Sequence, residues 1–252
     1  MVYINTEGIV LKTVKYGETD AILTVFTKKL GKIGVYARGV RKMNSRMMSG
    51  SQPFTYAAFN LIPKATLSKV TSIDTINNFY DITHTIEQLY TGYYILELTE
   101  KTTVENQTNN RLFDLLLEVL TQLSKIQDPK MTKLIKLYYN TRITEYLGVK
   151  PDVLKCGNCG IEYNKVNKTG FSIEDGTIIC EKCMKTAKRY MYFDKTVYRL
   201  IDYIMNIPLK KLLTAYIEPS IFSQTDALIT EYIHYHVLDT VLNTEVNLKR
   251  IY

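Results

Sequence analysis

Apolar and polar positions alternate along the first third of the chain in short stretches that turn residues interrupt. These stretches are rich in β-branched and aromatic residues, and they predict five β-strands, at residues 9–14, 21–27, 32–38, 54–62 and 66–76. Gly17, Gly31 and residues 63–65 mark tight turns between strands. The polar residues 39–52 predict a mobile loop.

Five short strands within about 75 residues must protect their edges, and no nearby helix is long enough to cover a flat sheet. Closing the sheet into a small barrel removes the exposed edges. We therefore predict an N-terminal β-barrel. An OB-fold is the interpretation we favour, and an SH3-like barrel is the alternative that strand counting leaves open.

From about residue 82 the apolar residues recur every three or four positions, which predicts amphipathic helices. The predicted helical stripes are Ile86, Leu89, Tyr90 and Tyr93; Leu112, Leu115, Leu116, Val119, Leu120 and Leu123; Met131, Leu134, Ile135, Tyr138 and Leu147; and Phe193, Val197, Leu200, Ile201 and Ile204. A last long helix is predicted over residues 221–242. We interpret the stripes as core-facing surfaces of a helical bundle.

The four cysteines form two Cys-x-x-Cys pairs, Cys156 with Cys159 and Cys180 with Cys183. Two residues between thiolates let both sulfurs reach one ion from a tight turn, and two such turns complete a tetrahedral shell that suits Zn²⁺. The residues between the pairs predict a β-hairpin, so we predict a zinc ribbon at about residues 153–189, inserted between helices. The site is predicted to be structural because the chain supplies all four ligands and leaves no position open for water.

Basic residues flank both pairs: Lys155, Lys182, Lys185, Lys188 and Arg189. They either offset the negative charge of a zinc–thiolate centre or contact nucleic acid, and charge compensation is the interpretation we favour. The predicted architecture is thus α+β, with a barrel domain at 1–80 and a mostly helical domain at 81–252 that contains the ribbon.

The sequence lacks the motifs of several enzyme classes. It contains no phosphate-binding P-loop and no Gly-x-Ser-x-Gly elbow, and a Cys₄ metal site leaves no cysteine free as a nucleophile. His234 and His236 lie two residues apart on a predicted helix and therefore point to different faces. No apolar run is long enough to span a bilayer, and the first residues do not resemble a signal peptide, so we expect a cytoplasmic location and no membrane partner.

The net charge of +7 lies entirely in the first third of the chain. Residues 1–80 carry eleven lysines and arginines but four acids, whereas bases and acids balance in residues 81–252. A concentrated positive charge predicts a module that binds a polyanion, joined to a neutral body. A basic surface that serves solubility is the alternative.

Several segments, taken in order, resemble the RecO family of bacterial recombination mediators. They are residues 16–20 (Tyr-Gly-Glu-Thr-Asp), 26–33, 37–42 (Ala-Arg-Gly-Val-Arg-Lys) with Ser45 and Arg46, 52–54 (Gln-Pro-Phe), and 145–148 leading through Pro151 into the first cysteine pair. Phe171 and Gly176, ahead of the second pair, also fit. The resemblance covers most of the chain and is weakest at residues 80–140 and after 190.

This resemblance implies an OB-fold that binds DNA and a helical domain that holds the zinc ribbon. It implies DNA repair and recombination without enzymatic activity: binding of single- and double-stranded DNA, annealing of complementary strands, and loading of RecA onto strands coated by single-stranded-DNA-binding protein. The implied partners are RecR, the C-terminal tail of the single-stranded-DNA-binding protein, and in some cases RecF. The implied location is the nucleoid.

An OB barrel binds single strands with a cationic groove for the phosphates and aromatic side chains for the bases. The predicted phosphate contacts are Lys28, Lys29, Lys32, Arg38, Arg41, Lys42 and Arg46. Tyr36, Phe54 and Tyr56 are candidates for stacking or for the barrel core. The competing functional hypothesis is a protein-interaction scaffold with incidental DNA contact; a zinc-dependent deaminase is disfavoured because its His-x-Glu signature is absent.

Overall fold

The computed structural model describes residues 3–64, 66–126, 128–166, 168–185 and 190–251. The chain divides into two compact units, Met1–Thr132 with Leu242–Tyr252, and Lys133–Val241. The first unit therefore contains more than the barrel and includes the end of the chain. A domain boundary near residue 80 stays a prediction.

The first unit contains a closed five-stranded barrel. Its strands are β1 (Ile4–Tyr16), β2 (Asp20–Thr27), β3 (Gly31–Ala37), β4 (Tyr56–Ile62) and β5 (Ser68–Asn77). They close in the order β1-β2-β3-β5-β4, with β3 and β5 parallel and the other neighbours antiparallel. This crossover gives the OB-like arrangement and confirms the predicted fold class. Part of the turn predicted at 63–65 lies outside the described residues.

The alternating pattern of the strands determines which side chains fill the barrel. In β3, Ile33, Val35 and Ala37 are buried, whereas Lys32 and Tyr36 lie on the outer face and are partly exposed. Buried residues from all five strands complete one apolar core. Because side chains of a strand point alternately to its two faces, the polar residues between them are directed outwards.

Helices follow the barrel and also flank the cysteine region. They are α1 (Ile86–Thr102), α2 (Asn110–Leu123), α3 (Pro129–Tyr146), α4 (Lys195–Asn206), α5 (Leu209–Leu212), α6 (Pro219–His236) and α7 (Asn243–Ile251). The stripe predicted in α2 is buried along its whole length. Within the first unit, Phe113 of α2 packs on Phe26, with ring centroids 5.7 Å apart, and Tyr93 of α1 packs on Phe54 at 4.9 Å.

The helix predicted over residues 221–242 is wrong at its C-terminal end. Helix α6 stops at His236, and a separate helix, α7, begins at Asn243 and packs along α1. No glycine or proline lies between them, so the local sequence carries no stop signal. The N-terminus of α7 is stabilised by a side chain that is far away in the sequence. The carboxylate of Glu97 in α1 accepts hydrogen bonds from the backbone N–H groups of Asn243 and Thr244, at 3.1 and 2.9 Å.

We expect Glu97→Gln to lower the free energy of unfolding by about 1 kcal/mol, the usual effect of losing a helix cap. Burial raises the pKa of Glu97, but hydrogen bonds from Thr244 and Asn243 outweigh burial and hold the pKa below its ordinary value of 4.5. A lowered pKa means that the stabilisation is present above pH 4.5 and disappears as the pH falls through the folded-state value. Hydrogen exchange of the α7 amides measures the effect. Glu174→Gln, at an exposed carboxylate, should leave those amides unchanged.

The second unit contains a small four-stranded sheet next to its helices. Its strands are β6 (Asp152–Cys156), β7 (Thr169–Ser172), β8 (Thr177–Cys180) and β9 (Met191–Tyr192), in the order β6-β8-β7-β9. The antiparallel pair β7–β8 is the predicted hairpin. Residues 186–189, at the end of the predicted ribbon, lie outside the described residues.

Candidate nucleic-acid interface and metal centre

The loop after β3 carries a basic, exposed tip on a fixed base. We call residues 41–46 the tip segment; its Arg41, Lys42 and Arg46 are all exposed. At its start, Val40 is buried in the barrel core and the Arg41 N–H donates to the Thr19 carbonyl at 2.8 Å. The stretch predicted as a loop is therefore an irregular segment whose start is held by the barrel.

Successive turns order the tip segment itself. The Lys42 N–H donates to the Gly39 carbonyl at 3.2 Å, and the Ser45 N–H donates to the Lys42 carbonyl at 2.9 Å. Just past the tip, Met47 packs against the barrel core. Three cations are thereby presented from a segment whose two ends are anchored, which reduces the conformational entropy that binding would remove.

Asp20 connects the start of this loop to the outer face of β3. Its carboxylate accepts hydrogen bonds from the Tyr36 hydroxyl and, at 2.7 Å, from the Gly39 N–H. These two bonds lower the pKa of Asp20 and keep its carboxylate charged, while the same contact raises the pKa of Tyr36. The Arg38 charge acts on Asp20 in the same direction. Arg38 is exposed beside the tip segment.

Tyr16 and the partly exposed Tyr36 form an aromatic pair on the same outer face. Tyr16 at the end of β1 is 55% exposed, and its ring meets Tyr36 edge-on with centroids 6.0 Å apart. The Arg41 guanidinium donates to the Gly17 carbonyl at 3.3 Å, so the tip segment adjoins this pair. Tyr16 was not among the aromatic residues predicted to stack on bases, because Tyr16-Gly17-Glu18 has the sequence of a turn. Its position opposite Asp20 follows only from the register of β1 and β2.

The other two aromatic candidates pack within the first unit. Phe54 is only 4% exposed and contacts Tyr93. Tyr56 donates its hydroxyl to Glu7 at 2.5 Å, and burial together with that bond raises the pKa of Tyr56 to about 12. These contacts favour the alternative in which both residues support the barrel.

Lys28 and Lys29 lie in the β2–β3 turn and Lys32 lies near the start of β3, whereas the tip segment follows the end of β3. Seven residues at about 3.3 Å each place the two groups roughly 20 Å apart. Lys28 pairs with Glu7 at 2.7 Å and lies over the Phe113 ring. Lys29 donates to the Asn5 carbonyl at 2.7 Å. Lys32 donates to the Glu100 carbonyl at 2.5 Å, and burial lowers its pKa. The seven predicted phosphate contacts thus form two groups.

The metal centre brings together the four cysteines predicted from their spacing. Their sulfur atoms all lie within 4.8 Å of one another, and Cys159 Sγ is 3.7 Å from Cys180 Sγ. Zinc–sulfur bonds of about 2.3 Å in a tetrahedron place the sulfurs about 3.8 Å apart. The geometry therefore fits one ion held by four thiolates. Cys156 and Cys180 are buried, whereas Cys159 is exposed.

The backbone around Cys156 favours its thiolate form. Burial raises the pKa of Cys156, but N–H groups of Cys180, Cys159 and Asn158 outweigh it and lower that pKa to about 7. Gly157 has to lack a side chain, because a Cβ there would lie 2.3 Å from Thr177 Oγ1. The flanking Lys155, Lys182 and Lys185 are exposed, while Lys188 and Arg189 lie outside the described residues.

None of the helices in the described ranges is long and apolar enough to cross a membrane.

Two family models match consecutive parts of the chain. A family model described as "Recombination protein O N terminal" matches residues 1–79, and one described as "Recombination protein O C terminal" matches residues 83–244.

Individual relatives match along nearly their whole length. The chain is 32% identical to the DNA repair protein RecO of Alkaliphilus metalliredigens, over 93% of this chain and 94% of that protein. It is 29% identical to the protein of the same name from Acetivibrio thermocellus, over 92% and 91% of the two chains. For the Bacillus pumilus protein the identity is 31%, over 91% and 87%.

Proposed function

The chain belongs to the RecO family of DNA repair proteins, and we propose that it is a recombination mediator that binds single- and double-stranded DNA and anneals complementary strands. With RecR, it would help to load RecA onto strands coated by single-stranded-DNA-binding protein. In this proposal the protein acts by binding alone and carries out no covalent chemistry.

The observation that carries the proposal is the basic tip segment beside the Tyr16–Tyr36 pair. Arg41, Lys42 and Arg46 would neutralise phosphates, with Arg38 adjacent, and the two rings would stack on bases. Phosphate contacts contain no base information, so we expect binding that is independent of sequence. Lys28, Lys29 and Lys32 remain predicted contacts, as a second group at the other end of β3.

Annealing follows from the same surface, because a cationic protein screens the repulsion between two strands and holds them near each other. We expect the purified protein to accelerate pairing of complementary oligonucleotides without added nucleotide. Fluorescence energy transfer between end-labelled strands measures the rate. Failure to exceed the spontaneous rate at low salt would contradict the proposed function.

We propose that the metal is one Zn²⁺ held by Cys156, Cys159, Cys180 and Cys183, and that it supports the fold. Four soft thiolate ligands in a tetrahedral cluster are the set that zinc prefers in structural sites. A bound zinc would supply crosslinks between the two Cys-x-x-Cys turns. The exposed lysines nearby would offset its excess negative charge.

The remaining parts of the proposal rest on family membership. The partners are RecR, the C-terminal tail of the single-stranded-DNA-binding protein, RecA and in some cases RecF, and the location is the cytoplasm at the nucleoid. Co-elution of the purified chain with RecR, and with a peptide of that tail, tests the two direct contacts. Separate elution of both would remove these partners from the proposal.

A further inference from the structure

Met43, in the middle of the tip segment, is almost fully exposed. Its side chain is 96% exposed, the most exposed large apolar side chain among the described residues. It follows Lys42 in the turn that the Ser45 N–H closes onto the Lys42 carbonyl. Single exposed apolar residues are common on protein surfaces, so exposure alone assigns no role. Met43 also has basic residues on both sides of it in the sequence.

Three exposed cations of the same segment flank Met43 in the sequence. Arg41, Lys42 and Arg46 are exposed within three residues of it, and the segment has anchored neighbours at Val40 and Met47. If the cations bind the phosphates on either side of a groove, the methionine between them faces the base pairs. Proteins that kink duplex DNA insert apolar side chains, methionine among them, between adjacent base steps from such cationic surroundings.

We propose that Met43 is a wedge that inserts between neighbouring base pairs of duplex DNA and unstacks them. The inference rests on the proposed DNA binding and adds an activity to it, the local distortion of a duplex. The flexible, unbranched thioether side chain adapts to an irregular gap. The anchored ends of the loop supply the resistance that a wedge needs. Inserting Met43 also removes its apolar surface from water, which offsets part of the cost of unstacking.

The test uses the full chain and a duplex that contains 2-aminopurine, whose fluorescence rises when it is unstacked. The wild-type protein is expected to raise the fluorescence at saturation, and Met43→Ala to give a rise smaller by about threefold or more, since insertion supplies the unstacking. Met43→Leu should retain the rise. Val104→Ala, which shortens another exposed apolar side chain of the first unit, should not change it.

The salt dependence of binding separates the wedge from the phosphate contacts. Met43→Ala should keep the slope of log K against log salt, because it removes no charge. An unchanged fluorescence rise in Met43→Ala, or a wild-type protein that binds duplex without any rise, would overturn the wedge and leave the proposed function standing. A wild-type protein that binds no DNA would contradict both.

Discussion

Replacing Arg41, Lys42 and Arg46 together by glutamate is expected to weaken binding of single-stranded DNA by about 100-fold at 0.1 M salt. On single strands, log K changes by about 0.7 per neutralised phosphate for each tenfold change in salt. If the variant and the wild type bind equally at 1 M salt, losing three contacts makes log K of the variant lower than that of the wild type by about 2 at 0.1 M salt. The plot of log K against log salt should become less steep by the same amount, about 2. Fluorescence anisotropy at several salt concentrations gives both quantities.

The tip segment is suited to such a test because its three basic residues are exposed and the variants leave the barrel core intact. A control variant must change the net charge by the same amount as the triple variant of the tip segment. Lys125→Glu, Lys130→Glu and Lys150→Glu together reverse three exposed lysines elsewhere in the described chain. This control should retain most of the affinity if the tip segment is the contact, since more distant charges act only through a screened potential.

The same comparison discriminates between a DNA-binding protein and a scaffold. Under the scaffold hypothesis DNA contact is incidental, and the tip variant should bind DNA as the matched control does. Equal losses in both triple variants would mean that net charge, and no particular surface, governs binding. Either result would remove the observation on which the proposed function rests.

Replacing Cys156 by serine is expected to abolish stoichiometric zinc binding and to unfold the ribbon. Metal binding contributes on the order of 10 kcal/mol to the folding of small zinc domains, and a Cys₄ shell that loses one thiolate forfeits much of this energy. Cys156 is buried, so its serine hydroxyl would also lie in a site built for sulfur. Elemental analysis reports the zinc, and thermal unfolding with limited proteolysis of residues 133–241 reports the fold.

DNA binding provides the internal control for the cysteine variant. The tip segment belongs to the first unit and the cysteines belong to the second. Affinity for single strands should therefore change by less than about threefold below the unfolding temperature, as is usual for mutations at sites that share no partners. A soluble Cys156→Ser protein with full zinc content and unchanged unfolding would contradict the structural-zinc proposal. Loss of DNA binding together with zinc would place the DNA contact in the second unit.

Features that depend on neighbouring residues could be predicted from the amino-acid sequence. Alternation in residues such as Ile33, Val35 and Ala37 predicts strands because side chains on a strand point to its two faces in turn. The leucine stripe of α2 predicts a buried helix face for the analogous helical reason. The cysteine spacing predicts the metal centre because two tight turns suffice to direct four sulfurs at one point. The strand and helix inferences need only separations of a few residues, and the metal centre adds the expectation that two such pairs, about twenty residues apart, hold one ion.

The three-dimensional fold alone shows which residues far apart in the sequence share a surface. It brings the start of the tip segment next to the turn after β1, where the Arg41 N–H donates to the Thr19 carbonyl. Strand register places Tyr16 beside Tyr36. The carboxylate of Glu97 caps a helix that begins at Asn243. Local sequence patterns do not predict such contacts, because tertiary packing between segments far apart in the sequence determines which strands pair and which side chain caps a helix.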